Sequence, residues 1–172
     1  DISKWKINNV QNMGYLFNGC SSLIEIPDIS KWETSNITNM KAMFQNCSSI
    51  STMPDISNWN IEKVTDLSFL FNMCKKLEAI PDLSKWNPES VINMNYLFNE
   101  CDSLKKLPDI SSWKIQKEII AKNIINDNLS IKTDTNDIIS KNKFENLNIN
   151  KDLKIDTDQT IEPSKLEDNK FN

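Results

Sequence analysis

A 27-residue repeat constrains the fold of this chain more than any other feature of its sequence. Trp recurs at this interval at Trp5, Trp32, Trp59, Trp86 and Trp113, and Phe at Phe17, Phe44, Phe71 and Phe98. Asp, Ser, Cys and Pro keep the same step. Four full units, 1–27, 28–54, 55–81 and 82–108, follow one another without insertion. So short a unit cannot bury its apolar side chains alone, and the units are expected to stack around one core.

The apolar residues inside a unit have helical spacing. Val10, Met13, Leu16, Phe17 and Cys20 lie at i, i+3, i+6, i+7 and i+10, which places them on one face of a helix. The residue before Met13 and its equivalents is Asn or Asp, and both are common helix N-caps. The spacing predicts one short helix per unit, near 13–19, 40–46, 67–73 and 94–100.

A short extended segment is expected after each Cys. Leu23 and Ile26 are followed by Pro27-Asp28-Ile29-Ser30, and the proline cannot donate to a strand ladder, so the strand must be brief or bent. Together, strand and helix predict an α/β repeat fold in which the units form one continuous right-handed solenoid.

The repeat decays toward the C-terminus. Past Trp113 the chain keeps apolar residues in register, but Asn128, Thr135 and Ser140 stand where the next Cys, Pro and Trp would fall, which predicts that residues 109–131 are a degenerate fifth unit that caps the core. Residues 132–172 hold no Trp, Tyr or Cys and are rich in Asn, Asp, Lys and Ile, which is typical of a polar, disordered tail or linker. Since Asp1 falls within a repeat and no initiator Met is present, the chain is interpreted as a piece of a longer protein.

Segment 35–59 carries a family resemblance. Ser-Asn-Ile-Thr-Asn-Met, then Met-Phe, Asn-Cys-Ser-Ser-Ile and Pro-Asp-Ile-Ser-Asn-Trp resemble the BspA-like leucine-rich repeat family, and more narrowly the repeat of mycoplasma surface lipoproteins. The resemblance covers residues 1–113 and loosely the cap. It implies a leucine-rich-repeat-like solenoid on a microbial cell surface, with adhesive or host-contact roles and no catalytic residue or cofactor. The Pro before Asp-Ile-Ser departs from the commoner pattern.

Composition argues against several functions. The net charge is −4, His is absent and all 20 basic residues are Lys, so the usual general base and the Arg-bearing phosphate clamp are both missing. No polar cluster breaks the repeat symmetry as a catalytic site would. The sequence predicts no enzyme, no cofactor, no nucleic-acid partner and no transmembrane segment in this piece.

The repeated Cys, Trp and Asp columns each admit two interpretations. Cys20, Cys47, Cys74 and Cys101 are interpreted as a column of free buried thiols, with a disulfide between neighbours as the alternative and zinc disfavoured by the lack of His. The Trp column is predicted to pack in the core rather than to form a sugar-binding strip. The Asp column is predicted to stabilise turns rather than to bind calcium.

One pair of positions varies from unit to unit between two constant aliphatic residues. Its members, here called the variable stripe, are Ile24, Glu25, Ser51, Thr52, Glu78, Ala79, Lys105 and Lys106. Stacked, they would run from apolar and acidic to basic, and they are the candidate partner-binding residues; a solvated face without function is the alternative. The predicted function is a non-catalytic interaction or adhesion module of a cell-surface or secreted protein that binds a protein or a glycan. The alternative is an intracellular, cytoplasmic scaffold.

The predicted cap and the predicted tail are expected to contribute differently to the stability of the fold. A chain ending at residue 131 should melt close to the full chain, because the tail lacks the apolar residues that would offset its ordering entropy. A chain ending at residue 113 should lose about 2–3 kcal/mol, which lowers Tm by roughly 5–10 °C in a domain of this size. Thermal melting followed by circular dichroism measures both, and equal losses from the two truncations would contradict the distinction.

Overall fold

The computed structural model describes residues 2–110 and 112–115. Within these residues the regular secondary structure consists of one short 3-10 helix, Ile2–Lys4, and four isolated parallel β-bridges. The bridges join Asn12 to Asn39, Asn39 to Asp66, Asp66 to Asn93, and Thr52 to Ala79. All other described residues lie in turns or irregular backbone.

The prediction of a leucine-rich-repeat-like right-handed α/β solenoid is wrong. The segments predicted as helices, 13–19, 40–46, 67–73 and 94–100, are built from turns. The segments around the repeated Pro form no strand, and no sheet is present in the described part of the chain. The units nevertheless stack on one another, through a hydrogen-bond pattern that replaces both helix and sheet.

Each predicted helix is a run of overlapping turns. In unit 1 the N–H groups of Leu16, Asn18 and Cys20 each donate to the carbonyl three residues earlier, at 3.0 to 3.3 Å. The backbone φ is positive at Tyr15 and Gly19, at 64° and 74°. A left-handed residue reverses the local coil of the chain, so the turns cannot propagate as an α-helix. The same two positions have positive φ in units 2, 3 and 4.

Four other N–H groups of the run point toward the next unit. Those of Met13, Tyr15, Phe17 and Gly19 donate to carbonyls of unit 2 at 2.8 to 2.9 Å, and the equivalent four bonds join units 2 to 3 and 3 to 4 at 2.8 to 3.0 Å. A helix would satisfy these N–H groups internally and leave no backbone ladder between units. The turn run divides its N–H groups between itself and its neighbour, so buried donors are paired in both directions.

The turn run also explains why the sequence resembles a helix. Turns closed by a bond from residue i to residue i+3 return the chain to the same side about every three residues. The apolar spacing of Val10, Met13 and Leu16 is therefore compatible with both structures. Their equivalents in units 2, 3 and 4 are buried in the core. Spacing alone reports which residues face inward, and it does not report the hydrogen-bond partners.

The core is made of columns of like side chains. The Phe rings of successive units stack with centroids 5.5, 5.6 and 5.7 Å apart. The rings of Trp5, Trp32 and Trp59 stack at 6.3 and 6.2 Å, and those of Trp86 and Trp113 at 6.1 Å. Offset aromatic stacking adds about 0.5–1.5 kcal/mol per pair beyond the area buried. Keeping one residue type per column therefore favours a constant spacing between layers.

The predicted N-cap residues accept hydrogen bonds, but they do not cap helices. The side-chain Oδ1 atoms of Asn12, Asn39, Asp66 and Asn93 each accept the N–H two residues later, at 2.8 to 3.2 Å. This is the geometry of an Asx-turn, which the same residue types favour. Each Asx-turn opens a turn run in the place where a helix was expected.

The predicted cap, residues 109–131, lies outside the described residues apart from 109, 110 and 112–115, and the predicted tail, residues 132–172, lies wholly outside them. Both stay predictions.

Substitutions at the left-handed positions of the turn run are expected to change the free energy of unfolding. Gly19 has φ of 74°, and a Cβ added there would meet no atom within 4 Å, so a side chain would be opposed by backbone strain alone. Gly19→Val should cost about 1–2 kcal/mol. Gly19→Asn should cost less than half of that, because Asn tolerates this region and Asn46 occupies it in unit 2. Urea unfolding measures both, and equal losses would show that strain at this φ is not the cause.

Candidate functional site

The variable stripe runs across all four units. In each unit the stripe follows a turn that is closed by a hydrogen bond from the N–H of an aliphatic residue to the carbonyl of the Cys three positions earlier. In unit 1 the N–H of Leu23 donates to the carbonyl of Cys20 at 3.0 Å. Two further backbone bonds join its layers, from the N–H of Glu78 to Ser51 at 3.0 Å and from the N–H of Lys105 to Glu78 at 3.1 Å. In units 2, 3 and 4 the stripe is therefore displayed on backbone that the stacking fixes.

All eight residues of the stripe are exposed, and Ile24 is exposed to 75%. Of the flanking aliphatic residues, Ile50, Leu77, Leu104, Ile26 and Leu107 are buried. All eight predicted residues thus lie at the surface, and backbone hydrogen bonds connect those of units 2, 3 and 4.

One ion pair crosses the stripe. The Nζ atom of Lys105 bonds the Oε2 atom of Glu78 in the layer before it. This hydrogen bond and the charge of the ammonium group lower the pKa of Glu78. The charge gradient expected from the sequence is therefore partly compensated between units 3 and 4. Lys106 and Glu25 remain exposed at the two ends of the stripe.

The Asp column stabilises turns, as predicted. In units 2, 3 and 4, Oδ1 of Asp28, Asp55 and Asp82 accepts the N–H of the Ser two residues later, at 2.9 Å. Hydrogen bonds from the side chain and the backbone of Ser30 lower the pKa of Asp28, and those from Ser57 lower that of Asp55. Within the described residues no group of three or more His, Cys, Asp or Glu side chains could hold a metal ion.

The cysteines are free thiols and, except in unit 1, buried, in agreement with the thiol-column interpretation. The Sγ atoms of Cys47, Cys74 and Cys101 each donate to the carbonyl of the Phe thirty residues earlier, at 3.1 Å. Burial raises the pKa of Cys47 and of Cys101 to about 12, and it raises that of Cys74 as well. These thiols stay protonated near neutral pH, and the thiolate is the nucleophile.

The tryptophans pack in the core, with one exception. Trp32, Trp59, Trp86 and Trp113 are at most 5% exposed, and each indole N–H donates to a backbone carbonyl thirty residues earlier at 2.8 to 3.2 Å. Trp5 is 51% exposed, which corrects the prediction for the first unit.

The first unit has a second exposed surface that the sequence analysis did not identify. Trp5, Tyr15 and Leu16 are exposed to 51%, 53% and 38%, and Cys20 is exposed too. We call Trp5, Tyr15, Leu16, Phe17 and Cys20 the end face. In later units the Trp, Phe and Cys positions are buried. Within the described residues no layer precedes unit 1, so these columns are uncovered there.

Comparison with known proteins matches this chain to one family. A family model described as "Mycoplasma protein of unknown function, DUF285" matches residues 1–54 and 49–152. No curated protein and no solved structure gives a significant match. The described residues contain no helix long and apolar enough to span a membrane.

The cysteine geometry predicts selective labelling. Iodoacetamide should alkylate Cys20 first, because its side chain is exposed, and should modify Cys47, Cys74 and Cys101 at least about a hundredfold more slowly, after local opening. Mass spectrometry of a time course measures the four rates. In denaturant the four rates should converge, and comparable rates in the native protein would refute the buried thiol column.

Proposed function

The chain belongs to the Mycoplasma family DUF285, and we propose that it is a non-catalytic interaction or adhesion module whose variable stripe contacts a protein or glycan partner. The observation that carries this proposal is the contrast between the stripe and its flanks. Eight adjacent exposed positions differ from unit to unit, while most of the aliphatic residues beside them are buried. Side chains can thus change along the stripe without changing the core.

The stripe has the properties of a recognition surface. In units 2, 3 and 4 its backbone is tied between layers by hydrogen bonds, so the side chains there are presented in a fixed arrangement and the backbone loses little entropy on binding. It combines an apolar residue, Ile24, with two hydroxyl residues and with charges of both signs. Such a mixture suits selective contact with a partner of matching charge.

Side-chain chemistry supports a non-catalytic role. The sequence contains no His and no Arg, so general base catalysis and phosphate binding would have to use carboxylates and lysines. Three of the carboxylates, Asp28, Asp55 and Asp82, accept hydrogen bonds within their own turns. The cysteines at the buried positions are protonated and enclosed.

A microbial cell-surface or secreted location is part of this proposal, and it rests on the sequence resemblance to BspA-like repeats of mycoplasma surface proteins. The alternative is an intracellular scaffold, which free thiols would favour because reducing compartments keep Cys reduced. Burial weakens that argument, since three of the four thiols are enclosed and protected wherever the protein resides. Protease treatment of intact cells separates the two, because only a surface module is digested.

A cross-linking experiment tests the stripe directly. A photoreactive amino acid replaces Thr52, in the middle of the stripe, and in a control replaces the exposed Ser35, which lies outside it. The proposal expects one discrete adduct with a protein or glycan from the Thr52 position and none from Ser35. Equal labelling from both positions would show non-specific contact and would count against the stripe.

Charge reversal then measures the contribution of the basic end. Lys105→Glu with Lys106→Glu should weaken binding of the cross-linked partner by about tenfold at low salt and flatten the salt dependence of Kd. The matched control, Lys31→Glu with Lys63→Glu, makes the same change of net charge at exposed positions outside the stripe. Binding that survives the first double variant, and also survives Glu25→Lys with Glu78→Lys, would remove the stripe as the site.

A further inference from the structure

Asn18 and Gly19 form the only Asn-Gly pair in the sequence. A backbone nitrogen can attack the side-chain carbonyl carbon of an Asn that precedes it, and glycine allows the closest approach because it has no Cβ. In units 2, 3 and 4 the residue at the position of Gly19 is Asn46, Met73 or Glu100, each with a side chain that hinders this attack. Of the four equivalent pairs, that of unit 1 therefore has the residues for rapid loss of the side-chain amide.

Both reacting groups of this pair are held by one residue of unit 2. The N–H of Gly19, whose nitrogen would attack, donates to the backbone carbonyl of Gln45 at 2.8 Å. The Nδ2 atom of Asn18, which would leave, donates to Oε1 of the same Gln45 at 2.7 Å. Both contacts come from the following unit, so they do not depend on the uncovered side of unit 1.

These two hydrogen bonds oppose the attack. The nitrogen of Gly19 becomes a nucleophile only after it loses its proton, and an N–H that is bonded to a carbonyl is shielded from hydroxide. The bond to Oε1 keeps the side-chain amide of Asn18 directed toward unit 2, so Cγ cannot turn to the nitrogen of Gly19. Reaction therefore requires that both bonds break, which is a local opening of unit 1 from unit 2.

We propose that Asn18-Gly19 is a self-modification site that reacts when unit 1 opens from unit 2. In the open form hydroxide takes the proton of the Gly19 nitrogen, and this nitrogen forms a bond to Cγ of Asn18. The bond from Cγ to Nδ2 breaks, and the amide nitrogen takes a proton from water and leaves as ammonia. Water then opens the cyclic imide at either carbonyl, which leaves aspartate or isoaspartate at position 18. The reaction consumes water, releases ammonia and needs no oxidant.

The product cannot remake the contacts that restrained the reaction. In both products a carboxylate replaces the amide that donated to Oε1 of Gln45. In isoaspartate the main chain also runs through the former side chain, so one extra carbon separates positions 18 and 19 and moves the N–H of Gly19 away from the carbonyl of Gln45. Each opening that ends in reaction is therefore recorded permanently. This property does not rest on the function proposed for the variable stripe.

The rate of conversion at position 18 tests the protection. Peptide mass spectrometry detects the mass gained when the amide NH2 becomes OH, and digestion at acidic pH prevents conversion during handling. A synthetic peptide of residues 13–25 gives the rate of the unprotected pair. At mildly alkaline pH the intact chain should react at least about tenfold more slowly than the peptide, and it should reach the rate of the peptide in urea. Equal rates in native buffer, or no conversion in the peptide, would overturn the proposal.

Substitutions of Gln45 test its role directly. Gln45→Ala removes Oε1 and should speed conversion in the native chain at least about threefold, whereas Gln45→Glu keeps an oxygen acceptor on a side chain of the same length and should stay slow. The matched control is Asn72→Ala, which removes the amide that accepts from Nδ2 of Asn99 between units 3 and 4 at 2.8 Å. It should leave the rate at Asn18 unchanged. Equal acceleration by Gln45→Ala and Asn72→Ala would make general loss of stability the cause, and no acceleration by Gln45→Ala would remove Gln45 as the restraint; either result overturns the proposal.

Hydrogen exchange tests the consequence of the reaction. Chains with isoaspartate at position 18 are separated from unmodified chains by chromatography after ageing. The N–H groups of Tyr15, Phe17 and Gly19, which donate to unit 2, should exchange at least about tenfold faster in the modified chains. The N–H of Phe71, which donates to unit 4 at 3.0 Å, should exchange at the same rate in both. Equal exchange of the unit 1 groups in modified and unmodified chains would show that the product closes normally, and this would overturn the permanent record.

Discussion

The structure depends on how each turn run divides its backbone N–H groups. Alternate groups close turns within the run, and the others bond the next unit, so that four bonds join each pair of layers through this segment. The division requires positive φ at two positions per unit, including non-glycine residues such as Ala42 and Phe69. A left-handed residue other than Gly costs roughly 1–2 kcal/mol. That strain persists because the bonds between layers exist only in this conformation.

The constant side chains follow from the same spacing between layers. Trp59 illustrates this, because its ring stacks on that of the previous unit and its indole N–H reaches a carbonyl thirty residues earlier. Cys74 donates from its thiol to the carbonyl of Phe44 in a similar way. A different residue in either column would lose the ring contact or leave a buried carbonyl without its donor, and a buried unsatisfied group costs about 1–3 kcal/mol. The repeat is conservative at these positions for a geometric reason.

The stripe residues, which differ between units, lie at exposed positions outside the buried columns. The positions of Ile24 and Glu25 in unit 1 are taken by Lys105 and Lys106 in unit 4, although the aliphatic residues beside them are kept. This separation allows one scaffold to present different surfaces, which is the basis of the proposed interaction function.

The sequence by itself determined the register, the inward-facing columns and the outward-facing stripe, because a 27-residue period and the burial of apolar residues need no knowledge of hydrogen bonds. It also predicted the Asx role of Asp28 and the free thiols. It could not determine that Met13 to Cys20 form turns, since the inward spacing of three to four residues is shared by a helix and by a run of turns. Gly19 and Asn46 were the available signals, as both tolerate positive φ, but Met73 and Glu100 occupy the same position without that preference. The choice between helix and turns was made by the neighbouring layers, whose carbonyls accept the N–H groups that a helix would have kept for itself.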